Sequence, residues 1–195
     1  MKRVDTRGLA CPEPVILTKK ALNDENHVVT MLDSDTAREN LLKLGKSLGC
    51  EMALKDCGGY LEISFFKGDK PEDLSVENND PLTTKNIAYV FNKSTMGDKS
   101  EKLGSILIKS LIYTLSQMDQ TPQSLVFYNE GVKLTCSKSE VLDDLRLLIS
   151  KGTRIVSCGT CLNFFELSDD LKVGEVSNMY EIVEIMESSE KTITI

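Results

Sequence analysis

Tryptophan is absent from these 195 residues, histidine occurs once, and prolines number five. No Ser-His-Asp set, Walker loop or Gly-x-Gly-x-x-Gly motif is found, so hydrolase chemistry and nucleotide use have no support. Net positive charge is lacking too: 23 Lys and Arg stand against 30 Asp and Glu, a net charge of −7. Nucleic-acid binding, which relies on clustered cations, is not expected, although a local basic patch can still dock a protein. Long apolar runs are missing as well. The longest, Ser105 to Leu115, is broken by Lys109, and Met1 to Asp5 holds no apolar signal core. Membrane insertion and secretion are therefore not expected, and a cytoplasmic location is. Six cysteines (11, 50, 57, 136, 158 and 161) are too few to staple a chain of this length, so reduced thiols are the default.

What is present falls into two modules and a tether. Residues 1–68 alternate as β-α-β-α-β-β, which predicts a two-layer sandwich with both helices on one face of a four-stranded sheet. Its first helix runs from Pro12 to Leu22, with Val15, Thr18, Ala21 and Leu22 on one stripe. Thr36 with Glu39 reads as the capping box of the second, which carries Ala37, Leu41, Leu44 and Leu48. Residues 69–85 are acidic, rich in Asn and Pro, and without periodicity; they read as a linker spanning roughly 20–25 Å on average. Residues 86–195 alternate strand and helix throughout, which favours a flavodoxin-like parallel sheet with helices on both faces. Asp98 with Glu101 is expected to open a long helix bearing Leu103, Leu107 and Leu111, and Ser137 with Glu140 to cap the next. Sites in such sheets gather beyond the carboxyl ends of the strands. Here those loops hold Thr95 to Gly97, Asn129 to Lys133, Cys158 to Cys161 and Ser177 to Tyr180.

Cys11 stands in Asp-Thr-Arg-Gly-Leu-Ala-Cys-Pro-Glu-Pro-Val, residues 5 to 15. Pro12 and Pro14 both fit only within the first turn of a helix, where N–H groups lack intrahelical acceptors. Cys11 is thus expected at the cap, where free amide dipoles favour a thiolate. An ordinary thiol, with a pKa of about 8.5, is ~3 % ionised at pH 7; a shift of about 1.5 units downward makes that roughly half. Arg7 can add positive potential there or simply be solvated, Gly8 lies in the same turn, and Lys19 and Lys20 read as an exposed face or a partner-docking patch.

Cys158-Gly-Thr-Cys161 is the second constellation. Such a pair at a strand end can be a redox dithiol, half of a metal site, a nucleophile with a resolving neighbour, or two inert cysteines. A structural zinc takes about four ligands; Cys136 could supply a third thiol, but no fourth ligand is evident, the one histidine, His27, being in the other module. No metal and no organic cofactor is expected. Asn129, Glu130, Gly131 and Lys133 can line a pocket at the sheet edge, with Asn178 in the loop opening the late helix. Cys50 and Cys57 read as structural or incidental.

The Asp-x-Arg-Gly-Leu-x-Cys-Pro-x-Pro-Val stretch, with Thr18-Lys19-Lys20, resembles the signature of TusA/SirA-like sulfur carriers. That resemblance implies a persulfide on Cys11, with Pro12 and Pro14 shaping its turn. Residues 86–195 resemble DsrE-like proteins, another sulfur-relay group: Phe127 to Val132 is similar to the loop after that group's second strand, and its reactive cysteine maps to Cys158. Val173 to Tyr180 is similar to its late loop. The fusion looks most like the YedF family, which is linked to selenium metabolism by association. Cys161 departs from a single-cysteine relay and makes internal disulfide resolution possible. The resemblance implies a cysteine desulfurase-like donor, an acceptor protein, and homo-oligomers through the DsrE-like domain. Two other functions stay open: a thiol–disulfide oxidoreductase on Cys158 and Cys161, and a non-catalytic regulatory adaptor.

Overall fold

A computed structural model describes residues 1–10, 12–68 and 86–195. The chain divides into two compact units, Met1–Asn79 and Asp80–Ile195. The stretch 69–85, read above as a tether, and Cys11 lie outside the described residues.

The first unit runs β1 (Lys2–Asp5), α1 (Glu13–Asp24), β2 (His27–Leu32), α2 (Asp35–Ser47), β3 (Glu51–Asp56) and β4 (Leu61–Phe66). Its sheet has the order β1-β2-β4-β3, with β1 parallel to β2 and the other pairs antiparallel. Both helices pack into one core: Ala21 and Leu22 of α1 and Ala37 and Leu41 of α2 meet Val28, Leu32, Ile63 and Phe65. That is the two-layer sandwich the alternation predicts. Gly58 and Gly59 turn the β3–β4 hairpin with φ of 70° and 121°, a region that side chains disfavour. The cap of α2 differs from expectation. Ser34, not Thr36, accepts the Ala37 amide, so the helix starts one residue before the proposed cap.

The second unit runs β5 (Ile87–Phe91), α3 (Glu101–Gln117), β6 (Ser124–Phe127), a 3₁₀ segment (Asn129–Thr135), α4 (Leu142–Ser150), β7 (Arg154–Cys158), α5 (Gly159–Phe164), β8 (Glu175–Ser177), α6 (Met179–Ser188) and β9 (Lys191–Thr194). Five parallel strands lie in the order β8-β7-β6-β5-β9. Alternate strand residues feed two separate cores, as strand geometry requires. Phe91, Leu125, Phe127 and Ile155 pack with Ile108 and Ile112 of α3 and Leu145 and Leu148 of α4. Ala88, Val90, Val126 and Val156 pack with Ile182 and Ile185 of α6. The sheet is covered on both faces.

Helix α3 buries a different stripe from the one expected. Ser100 caps it, and Gly104, Ile108, Ile112 and Leu115 face inward; of the expected stripe Leu111 packs against the core, while Leu103 and Leu107 are exposed. The helix is apolar on more than one side, so periodicity alone names two candidate faces. Gly104 decides between them: a Cβ there would stand 2.8 Å from the Met96 carbonyl oxygen, so the inward face must carry glycine. Helix α4 has Val141 at its cap and no side-chain cap bond; Glu140 pairs instead with Lys109 at 2.5 Å. Among the described residues, no helix is long and apolar enough to cross a membrane.

Candidate functional site

The first candidate site lies where β1 leaves its sheet. Helix α1 begins at Glu13 with Pro12 as its cap residue, as the two prolines require. The amides beyond it are not free. Glu13 donates to the Ala10 carbonyl at 3.0 Å, Val15 and Ile16 donate to the Pro12 carbonyl, and Pro12 and Pro14 have no N–H. Residues 12–16 therefore offer no unpaired amide, contrary to the expectation from helix starts in general. What remains is the dipole of a twelve-residue helix, weakened at this end because its first N–H groups already have acceptors. Arg7 adds less than a bare cation: its guanidinium is held by Asp5 at 2.6 and 2.9 Å and lies 5.0 Å from the centre of the Tyr60 ring. The hydrogen bond from Arg7 holds the Asp5 carboxyl down at about 2.

Hydrogen bonds fix the turn from both sides. Gly8, at φ 74°, donates its amide to both oxygens of Asp33, and Thr6 is tied to the Met31 carbonyl. Pro14 is buried, and its carbonyl takes the Thr18 hydroxyl at 2.8 Å; Thr18 in turn meets Thr30 of β2 at 2.9 Å. The first turn of α1 is thereby pinned to the sheet. Tyr60, in the hairpin turn at the same sheet end, has its phenol pushed up by a hydrogen bond with Cys57, a contact that spacing did not foretell.

The second candidate site lies at the carboxyl end of the parallel sheet. Cys158 closes β7 and Cys161 follows one turn later on α5. Phe127 of β6 is registered against Ser157, and Cys158 against Ser177 of β8, so the loops after all three strands share one edge. Asn129 opens the 3₁₀ segment after β6, at φ 50°. A non-glycine residue there costs on the order of 1 kcal/mol, least for Asn. Its amide donates to Cys161 Sγ at 3.0 Å. Gly131 holds this loop down, since a Cβ on it would stand 2.1 Å from the Phe91 carbonyl oxygen.

The two thiols differ. Cys158 is 2 % exposed among Val126, Val156, Ile182 and Ile185, whereas Cys161 is half-buried and touches both cores. Burial pushes the Cys161 thiol above the ordinary range, the Asn129 amide pulls it down, and a hydrogen bond with Cys158 keeps the proton on. Glu130 is occupied with Lys133 at 2.8 Å, and Lys133 lies over the Phe165 ring. Asn178 caps α6, its side chain accepting the Glu181 amide at 3.1 Å. The edge therefore brings Asn129 to Cys161, while Glu130 and Asn178 serve local structure. Cys136 is 3 % exposed, donates to the Val132 carbonyl, and has its thiol raised by burial. Cys50 is likewise buried and raised.

Comparison with known proteins follows this division. Residues 2–65 match the family model described as Sulfurtransferase TusA, and residues 85–195 that of the DsrE/DsrF-like family. No curated protein matches the chain. Among solved structures, a SirA-like protein from Desulfitobacterium hafniense is 32 % identical; the match covers 35 % of this chain and all of that one, with a TM-score of 0.33. The ychN protein from E. coli is 18 % identical over 57 % of this chain and 99 % of its own, at a TM-score of 0.42. A conserved protein of unknown function from Bacteroides thetaiotaomicron is 13 % identical over 60 % of this chain and 100 % of its own, at 0.43. More than half of the chain falls within residues 85–195, so it belongs to the DsrE/DsrF-like family, with a TusA-type domain ahead of that one.

Proposed function

We propose that this protein is a sulfurtransferase-like carrier of sulfane sulfur, or of selenium, held as a persulfide or its selenium counterpart on Cys11. The observation that carries this reading is the Cys-Pro-x-Pro motif at the start of α1, inside the residues that match Sulfurtransferase TusA. A cysteine desulfurase-like protein supplies the atom and an acceptor protein receives it, both docking around the start of α1. The DsrE-like domain provides a second station at Cys158 and Cys161. The work belongs to a reducing compartment such as the cytoplasm, and selenium metabolism, the setting of YedF-like fusions, is one such use.

Incubating the full chain with a desulfurase and cysteine, followed by intact mass measurement, tests this. The carrier gains about 32 Da per sulfur, and the gain disappears in Cys11→Ser. A chain that gains nothing on Cys11 is not this carrier.

One observation favours a second function: Cys158 ends β7, Cys161 follows on α5, and both lie against the same apolar core. A thiol–disulfide oxidoreductase would use that pair directly. A redox titration with a stable two-electron midpoint, and no persulfide at Cys11, selects it.

A further inference from the structure

Within that carrier function, the fold treats the two thiols of the second unit unequally. Cys158 occupies the cap position of α5, yet its side chain takes no hydrogen bond from the helix. It points into the layer under α6 instead, enclosed by aliphatic side chains. An incoming persulfide on another protein cannot reach a sulfur that is 2 % exposed without local opening. Cys161 is the half-buried one, and its sulfur has a backbone donor at 3.0 Å from an exposed loop residue. That donor is fixed from two sides. Asn129 is held at positive φ, and Gly131, two residues on, lies against the Phe91 carbonyl where no side chain fits. Backbone donors aimed at a sulfur are what stabilise negative charge on it as a bond breaks or forms.

We propose that Cys161, rather than Cys158, receives the sulfur atom in this unit, that Asn129 is the positioning residue whose amide supports the sulfur anion, and that Cys158 acts second as the resolving thiol. This rests on the carrier function above. In the first step a donor persulfide anion, R–S–S⁻, meets the Cys161 thiol. A bond forms between Cys161 Sγ and the outer sulfur while the donor's S–S bond breaks. The Cys161 proton passes to the departing donor thiolate, leaving Cys161–S–S⁻ and R–SH with no net oxidation. In the second step the Cys158 thiol attacks the inner sulfur of that persulfide. The outer sulfur leaves as HS⁻ with the proton of Cys158, reduced by two electrons, while the two cysteines are oxidised to a disulfide. An external dithiol reductant returns the pair to thiols, becoming a disulfide itself.

The test uses the full chain carrying Cys11→Ser, so that loading of the second unit is read without the first, and glutathione persulfide as the donor. In the Cys158→Ser background the sulfur is expected to stay on Cys161, as a mass gain on its peptide. In the Cys161→Ser background Cys158 is expected to load at least roughly tenfold more slowly, because it waits on local opening. With both cysteines present, one sulfide is released per disulfide formed. Equal or faster loading of Cys158 overturns the assignment. Where a serine variant fails to fold, pulsed alkylation of the unsubstituted chain decides: Cys161 labels first if the proposal holds, Cys158 first if it does not. Asn129→Gly keeps both the amide and the positive φ, so the pH midpoint of Cys161 alkylation stays in place; Asn129→Val moves the amide and shifts that midpoint upward. An unmoved midpoint in Asn129→Val removes Asn129 from the scheme. Failure of Cys11 to take sulfur from a desulfurase would refute the carrier function while leaving the Cys161-to-Cys158 loading ratio untouched.

Discussion

The backbone amide of Asn129 donates to Cys161 Sγ at 3.0 Å across 32 residues of sequence. The contact joins the loop after β6 to the helix after β7, and it singles out one thiol of the pair for a donor. Its opponent is burial, which is the larger influence and lifts the Cys161 thiol. Alkylation of Cys161 by iodoacetamide is therefore expected to keep rising beyond the pH at which an ordinary thiol levels off. A plateau near neutral pH in a pH series read by peptide mass would contradict this.

Gly131→Ala places a methyl group 2.1 Å from the Phe91 carbonyl oxygen, and a backbone atom has little room to yield. A cost of about 3 kcal/mol is expected, measurable as a lower urea midpoint. The same variant should lose the Asn129 contact, visible as a shifted Cys161 alkylation profile.

Thr18 is fully buried and ties the Pro14 carbonyl to Thr30. Thr18→Val leaves the Thr30 hydroxyl without that partner in the core, which should cost about 1–2 kcal/mol in chemical unfolding. Thr30→Val leaves Thr18 its bond to Pro14, so the smaller loss is expected there.

On α3, Ile108 is 1 % exposed while Leu103 is 53 % exposed. Ile108→Ala should destabilise by roughly 2–4 kcal/mol, whereas Leu103→Lys should stay within about 0.5 kcal/mol. Thermal denaturation of both variants checks which face is inward.

Asp144 has its carboxyl raised above the usual range, mainly by burial, with the Ser116 hydroxyl opposing at 3.0 Å. A raised folded-state value means stability that is complete below the unfolded carboxylate range and lost as pH climbs through the folded value. Asp144→Asn is thus expected to be more stable at pH 7, by about 0.5 kcal/mol. The gap should close near pH 3.5, about where an unfolded aspartate gains its proton. Urea midpoints at the two pH values measure it.

Much of this molecule is legible in one dimension. Continuous apolar runs such as Ile87–Phe91 and Leu125 to Phe127 mark strands with two covered faces, because a strand turns each successive side chain the other way and both sides are buried. Pro12 and Pro14 mark the start of α1, because neither can lie deeper in a helix. Those are local constraints, and they make the first helix and the strand–helix alternation of both units readable before any tertiary contact. Asn178 with Glu181 is a correct cap for the same reason.

Where two local solutions are equally good, sequence stops deciding. The α3 pattern permits an inward face at Leu103 and Leu107 or at Ile108 and Ile112, and only the fit of Gly104 against the Met96 carbonyl selects the second. Cys158-Gly-Thr-Cys161 announces a thiol pair, but its spacing cannot say which sulfur is enclosed; packing of α6 on β7 encloses Cys158. The bonding of the amides beyond Pro12 is likewise a matter of how the turn closes, with Ala10 and Pro12 carbonyls as the acceptors. The chain by itself determined the order of its elements, their division into two units and where its cysteines fall along them. The tertiary structure alone decided which helix face is inward, which thiol meets solvent and which amide meets sulfur, because access and donor geometry come from contacts between residues far apart in sequence.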